Sequence, residues 1–195
     1  MAGRRTVDSM RDAVIVGAVR TPIGKRNGGL SGVHPVDLSA HVLRALAERT
    51  GFDPGDVEDV VWGTVSQVGE QSWNTGRNAV LAAGWPESVP GTTLDRQCGS
   101  SQQALHFAAA TVLSGQADLV VAGGVESMSR VPMGSPAQGA DPFGPALRER
   151  YGVDRFDQGV SAEMVAARWG FSRAQLDEYA LASHAAAAKA QDAGD

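Results

Sequence analysis

The chain alternates short apolar runs with longer segments of helical period. Residues 12–19 (DAVIVGAV) are apolar almost without a break, the pattern of a strand covered on both faces. Pro22 and Gly24 lead out of it into a loop over residues 26–33. Pro35 then opens a helix to Thr50, with Asp37 in its first turn and Gly51 as its stop. Leu38, Val42, Ala45 and Leu46 repeat at i, i+4, i+7 and i+8 along it. A turn at residues 53–56 precedes a second strand over residues 57–65. After a loop at residues 69–73, Asn74 is the expected cap of a helix running to Ala83, with Gly84 as its stop. A short β-prone run, residues 92–94, feeds a turn and an Ala-rich helix that ends at Ser114 and Gly115. A further strand is expected over residues 117–121, ending at Gly123 and Gly124. Strands alternating with helices in this way predict an α/β fold with a mostly parallel sheet.

Periodicity is lost over residues 134–143, which are rich in Gly, Pro, Ser and Asp and read as a long loop. It returns with a helix expected to be capped by Ser161 and to end near Trp169 and Gly170. Ser172 and Gln175 then form a capping box for a last helix that fades at Gly194.

Cys98, the single cysteine of the chain, stands in the turn between the 92–94 strand and the Ala-rich helix. Two readings compete. A lone thiol is commonly a small buried hydrophobe. Its neighbours Arg96, Gln97, Gly99 and Ser100 do not read as core. Unpaired N–H groups and the positive dipole end at a helix start favour negative charge, the setting a nucleophilic cysteine needs.

Composition narrows the class. Hydrophobic content of 43% and charged content of 20% suit a soluble globular chain. A net charge of −5, with no basic cluster beyond Arg4 and Arg5, argues against a nucleic-acid partner. One cysteine makes neither an internal disulfide nor a zinc site, which fits a reducing, cytoplasmic compartment. No apolar run is long enough to span a membrane, and residues 1–11 read as a flexible polar N-terminus.

Several blocks in order resemble one family. They are VIVGAVRTPIGK from Val14, GxVxQxGxQ from Gly63, NTGRNAVLAAGWP from Asn74, DRQCGSSQQALHFAA from Asp95 and VVAGGVESMS from Val120. The C-terminal stretch from Gln158 to Gln191 adds a sixth. Together they resemble the thiolase family, the acetyl-CoA acetyltransferases and 3-ketoacyl-CoA thiolases. The Cys-Gly-Ser-Ser-Gln-Gln variant looks nearest to degradative thiolases of actinobacterial type.

The resemblance implies a thiolase fold, in which two αβαβα domains with five-stranded mixed sheets carry a loop domain inserted after the first. On that pattern residues 12–125 form the N-terminal thiolase domain and residues 126–195 part of the loop domain. The second thiolase domain would lie outside these residues. It implies acyl transfer through an acyl-Cys98 intermediate, in 3-ketoacyl-CoA thiolysis or the reverse Claisen condensation. The Cys98 backbone N–H would be one oxyanion donor. Acyl-CoA and CoA are then substrates, no cofactor is needed, and the assembly is a homodimer or homotetramer. The family's Gly-His-Pro histidine, second cysteine in Cys-x-Gly and Asn-Glu-Ala-Phe asparagine have no counterpart among these residues. The chain by itself is therefore expected to be inactive. His106, eight residues beyond Cys98, stands about 12 Å along the helix axis, out of reach as a base. His34 reads as a solvated loop residue, and His41 and His184 as surface or packing residues.

Two positions depart from the family pattern. Ser101 stands where glycine is common, and Gln158 where many relatives have an acyl-pocket methionine. Gln158 is either a polar substrate contact or an exposed loop residue. Asn74 and Arg77 match a loop that crosses a dimer in relatives, or are simply a cap and a solvated charge. The alternative to an enzyme is a non-catalytic thiolase-like protein, an acyl-CoA or sterol-type ligand binder or a subunit. A ketoacyl synthase, which shares fold and nucleophile, is disfavoured by the Gly-Gly-Val-Glu-Ser-Met block.

Overall fold

The computed structural model describes residues 11–194. The expected flexible N-terminus falls, apart from Arg11, outside the described residues. Two compact units are present, one ending at Gly139 and the other beginning at Ala140.

Among the described residues the first unit is built on three parallel strands, β1 (Asp59–Gly63), β2 (Thr92–Leu94) and β3 (Val120–Gly124), in the order β2-β1-β3. Helices α1 (Pro35–Thr50), α2 (Thr75–Ala82) and α3 (Ser100–Leu113) cover it. The period-2 alternation of β1 assigns the helices to opposite faces. Trp62 points to α1, where its Nε1–H donates to Ser39 Oγ at 3.2 Å, and Leu43 and Ala40 are buried with it. Gly63, the next residue, faces α3. A Cβ there would lie 2.5 Å from the backbone carbon of Ser100, so only glycine permits this approach. Gly123 on β3 is required for a similar reason, since a Cβ would lie 2.5 Å from the Trp62 ring.

Helix boundaries follow the local signals closely. α1 begins at Pro35 and stops at Gly51, whose φ of 75° is the left-handed conformation glycine adopts without strain. Its cap is His34, whose Nδ1 accepts from the Val36 N–H at 3.2 Å, so His34 has a structural role while its side chain stays 39% exposed. Asn74 caps α2 as expected, accepting from the Arg77 N–H at 3.1 Å.

The main departure is the apolar run at residues 12–19, which pairs with no strand among the described residues. Val14, Ile15 and Val16 are 75%, 74% and 71% exposed. The segment is held beside the sheet by an Arg11–Asp118 ion pair, by Arg49 Nη1 donating to the Ala18 carbonyl at 3.0 Å, and by the Asn27 N–H donating to Ser129 Oγ at 2.9 Å. A cleft of about 1240 Å³ is lined by this segment, by β3 and by residues of α1 and α3. Continuous apolar character specifies burial on two faces but names no partner, and here the run lies off the sheet.

The second unit contains α4 (Gly144–Tyr151), α5 (Gln158–Trp169) and α6 (Arg173–Ala193). α4 lies beyond the expected loop, at a place where no helix was predicted. Ser161 does not cap α5. Asp157 does, its carboxylate accepting from the Gly159 and Val160 N–H groups at 2.9 and 3.1 Å, while Ser161 Oγ bonds the Asp157 carbonyl from within the first turn. A carboxylate at the cap adds favourable charge to the hydrogen bonds that a hydroxyl would make. The capping box at Ser172 and Gln175 forms as read, with the Ser172 N–H donating to Gln175 Oε1 at 2.9 Å. Phe156 packs edge-on against Phe143 and Tyr151 at centroid distances of 5.7 and 5.3 Å. No helix of the described residues is long and apolar enough to cross a membrane.

Gly63→Ala should push α3 off β1. An unfolding free energy lower by about 1–3 kcal/mol in urea titration is expected. A Gly29→Ala control, whose Cβ meets nothing within 4 Å, should leave the packing intact.

Candidate functional site

All three strands are parallel, and their last residues Gly63, Leu94 and Gly124 are in register. Their carboxyl ends therefore open at one edge of the sheet, where ligand sites of open α/β sheets form. The connections leaving β1, β2 and β3 all begin there.

The connection after β2 carries Cys98. It is short because β2 ends at Leu94 and α3 begins at Ser100, with Gly99 in the cap position. Cys98 is exposed, so the buried-hydrophobe reading does not hold. Gln97, its neighbour, has φ 45°, a left-handed backbone that costs a non-glycine residue on the order of 1–3 kcal/mol. Side chains hold that conformation. Asp95 Oδ1 accepts from the Gln97 N–H at 2.6 Å, and Asp95 Oδ2 from the Gln97 side-chain amide at 3.0 Å. On the other side, the buried hydroxyl of Ser100 accepts from the Arg96 N–H at 3.0 Å and donates to the Gln97 carbonyl at 2.7 Å. Ser101, the first departure from the family pattern, packs on β3, its Oγ 2.1 Å from where a Cβ on Gly124 would lie. A serine at this position is accommodated by the glycine opposite.

The connections after β1 and β3 are locked together. The Glu126 carboxylate accepts from the Val65 N–H at 2.8 Å, the Ser66 N–H at 3.3 Å and Gln71 Nε2 at 2.7 Å. Gln71, wholly buried, accepts from the Ser127 N–H at 2.7 Å. Further out, Arg130 makes a two-pronged pair with Glu70 and donates to the Ser31 carbonyl at 3.2 Å, and His34 Nε2 lies 3.9 Å from Glu70. The Arg130 hydrogen bond is the main reason the Glu70 carboxyl is held below its ordinary range, against a smaller opposing effect of desolvation.

Other residues singled out in the sequence fall elsewhere. Gln158 is exposed at the first position of α5, so it and Cys98 belong to different units. His41, His106 and His184 are exposed. Arg77 is not a solvated charge: its guanidinium donates to the carbonyls of Val89 and, at 2.9 Å, Glu87, fastening α2 to the connection before β2. Asn74 adds a bond from Nδ2 to the Gly91 carbonyl at 2.8 Å. Asp95, Ser100, Gln71 and Glu126 were not singled out in the sequence. For Asp95 a signal existed, since aspartate commonly bonds the backbone N–H two residues on. For Gln71 and Glu126, 55 residues apart, no local signal exists. Among the described residues no group of three or more His, Cys, Asp or Glu could hold a metal.

Comparison with known proteins gives a consistent result. The model of the thiolase N-terminal domain matches residues 13–195. A steroid 3-ketoacyl-CoA thiolase of Mycobacterium tuberculosis is 45% identical over 193 residues, covering 95% of this chain and 47% of that protein. A 3-ketoacyl-CoA thiolase of Aliivibrio fischeri is 43% identical over 183 residues, covering 93% and 46% respectively. The crystal structure of the Bacillus anthracis acetyl-CoA acetyltransferase superposes with a TM-score of 0.79 at 37% identity, covering 95% of this chain and 49% of that one. The chain thus spans about half the length of the relatives it matches.

The Glu70–Arg130 pair has a testable pH signature. A carboxyl held below its ordinary value of 4.5 contributes stability that is present above that value and fades as pH falls through the lower one. Glu70→Gln should therefore be less stable than wild type at pH 7, and the two urea midpoints should converge on acidification below 4.5. A gap independent of pH would refute the pair's role.

Proposed function

The chain belongs to the thiolase family, and from that premise we propose that it is the nucleophile-bearing part of a 3-ketoacyl-CoA thiolase, an acyltransferase of lipid degradation. The observation that carries the proposal is Cys98, exposed in a braced strand–turn–helix at the carboxyl edge of the parallel sheet. In this reading residues 12–125 are the N-terminal thiolase domain and residues 126–195 part of the loop domain. The complete enzyme is a cytoplasmic homodimer or homotetramer.

The reaction is covalent catalysis in two halves. The Cys98 thiolate attacks the 3-keto carbon of a 3-ketoacyl-CoA. The bond between carbons 2 and 3 then breaks, and acetyl-CoA departs as its enolate, taking a proton at carbon 2. The acyl group remains as a thioester on Cys98. The thiol of CoA loses its proton and attacks that thioester, releasing the shortened acyl-CoA and the Cys98 thiolate. CoA is a substrate, and no cofactor enters. The Cys98 N–H supplies one hydrogen bond to the oxyanion. The family resemblance alone makes Gln158 a candidate polar substrate contact of the complete enzyme. The relative named as a steroid thiolase supports a bulky acyl group.

The proton transfers at carbon 2 and at CoA need groups that residues 1–195 do not contain. There is no second cysteine, and the only His-Pro pair is His34–Pro35, whose histidine caps α1. That same observation supports the second reading, a non-catalytic thiolase-like subunit or binder of acyl-CoA or sterol-type ligands.

The 195-residue chain alone is expected to show no CoA-dependent cleavage of acetoacetyl-CoA. Measurable turnover would overturn that statement. In a protein that also carries a second thiolase domain, acetyl-CoA should add one acetyl mass to the wild type and none to Cys98→Ala, read by intact-mass spectrometry. Acetylation of the Ala variant would remove Cys98 from the mechanism, and absence of any adduct in the wild type would favour the non-catalytic reading.

A further inference from the structure

We propose that Asp95 is a positioning residue for Cys98, acting through the strained backbone of Gln97. The inference rests on the assignment of Cys98 as the acyl acceptor and extends it to the groups that hold the nucleophile in place. Three observations converge on the turn. Gln97 has φ 45°, a conformation it would leave if free to do so. Both oxygens of Asp95 are spent on Gln97, one on its backbone N–H at 2.6 Å and one on its side-chain amide at 3.0 Å. Ser100, buried against Gly63, fixes the far side of the turn through the Arg96 N–H and the Gln97 carbonyl.

The two braces differ in kind. Ser100 belongs to α3 and is immobilised by the sheet. Asp95 is exposed, both its oxygens bond within the turn, and it lies outside the core. Its carboxylate therefore serves local geometry. With the acceptor removed, Gln97 relaxes out of the left-handed region, and the following residue, Cys98, moves relative to the first turn of α3. The N–H groups and positive dipole end of that turn favour an anion beside them. The brace thus fixes the position of Cys98 relative to that turn. A substitution that makes the left-handed backbone free of strain makes the brace unnecessary.

Cys98 is the only cysteine, so its alkylation by the uncharged reagents iodoacetamide and N-ethylmaleimide reads the turn directly, in this chain and without acyl-CoA. Asp95→Ala and Asp95→Asn both remove the negative charge, but Asn keeps an acceptor for the Gln97 N–H. In the Gln97 background, Asp95→Ala should alkylate at least about fivefold more slowly than Asp95→Asn, matching the lower end of the strain such a residue stores. In the Gln97→Gly background the two should agree within about twofold, because glycine adopts the left-handed conformation unaided. Equal rates in the first background, or an undiminished gap in the second, would overturn the proposal. If Asp95→Ala does not fold, Asp95→Ala combined with Gln97→Gly should, and failure of that double variant to fold overturns it equally. Acetylation of Cys98 tests the acyl-transfer reading separately, so either statement can fail while the other stands.

Discussion

The first turn of α3 rests on the backbone of β1, with no side chain between them at Gly63. This close approach determines where the candidate nucleophile stands. β2 ends level with Gly63, at Leu94, so the chain has five residues, 95 to 99, in which to leave the sheet and enter the helix. Within that turn Gln97 takes the left-handed backbone. Ser100, pressed against β1, then bonds back across the turn. The exposure of Cys98 follows from the same constraint, since the buried position goes to Ser100 and the turn before it faces solvent.

The rim around this turn is held by polar groups. Glu126 and Gln71 satisfy backbone N–H groups of residues 65, 66 and 127 that leave the sheet without ladder partners. A buried amide and a carboxylate are stable there because each has several partners, and loss of one would strand the others. Arg130 and Glu70 extend the arrangement outward to the loop before α1, whose first turn is capped by His34. The edge of the sheet at which Cys98 emerges is therefore flanked by fixed rather than loose connections, as a site that must orient a reacting carbon requires.

Much of the architecture was legible locally. α1, α2 and α6 begin and end near the residues that their caps, prolines and glycines mark, because those signals act within four residues of the backbone they satisfy. The strand–Cys–helix turn was legible too, from small residues between a β-prone run and an Ala-rich one. The cap of α5 was missed: Ser161 was expected, but Asp157, four residues earlier, meets the N–H groups, and only the folded turn shows which side chain reaches them. The run at residues 12–19 shows the larger difficulty. Its apolar side chains were read as a doubly covered strand, but the pairing that makes a strand is a property of two segments, and this one carries no label for the other.

The sequence by itself determined the family, the α/β alternation, most helix ends and the identity of the candidate nucleophile, because each is written in contiguous residues. Tertiary structure alone decided that Trp62 and Gly63 look to opposite helices, that Gln71 meets Glu126 across 55 residues, and that Arg77 and His34 bond the backbone of neighbouring segments. It also decided that Gln97 is strained and that Asp95 and Ser100 oppose the strain. These are consequences of how closely strands and helices approach one another, a distance that the order of residues along the chain does not encode until the layers are packed.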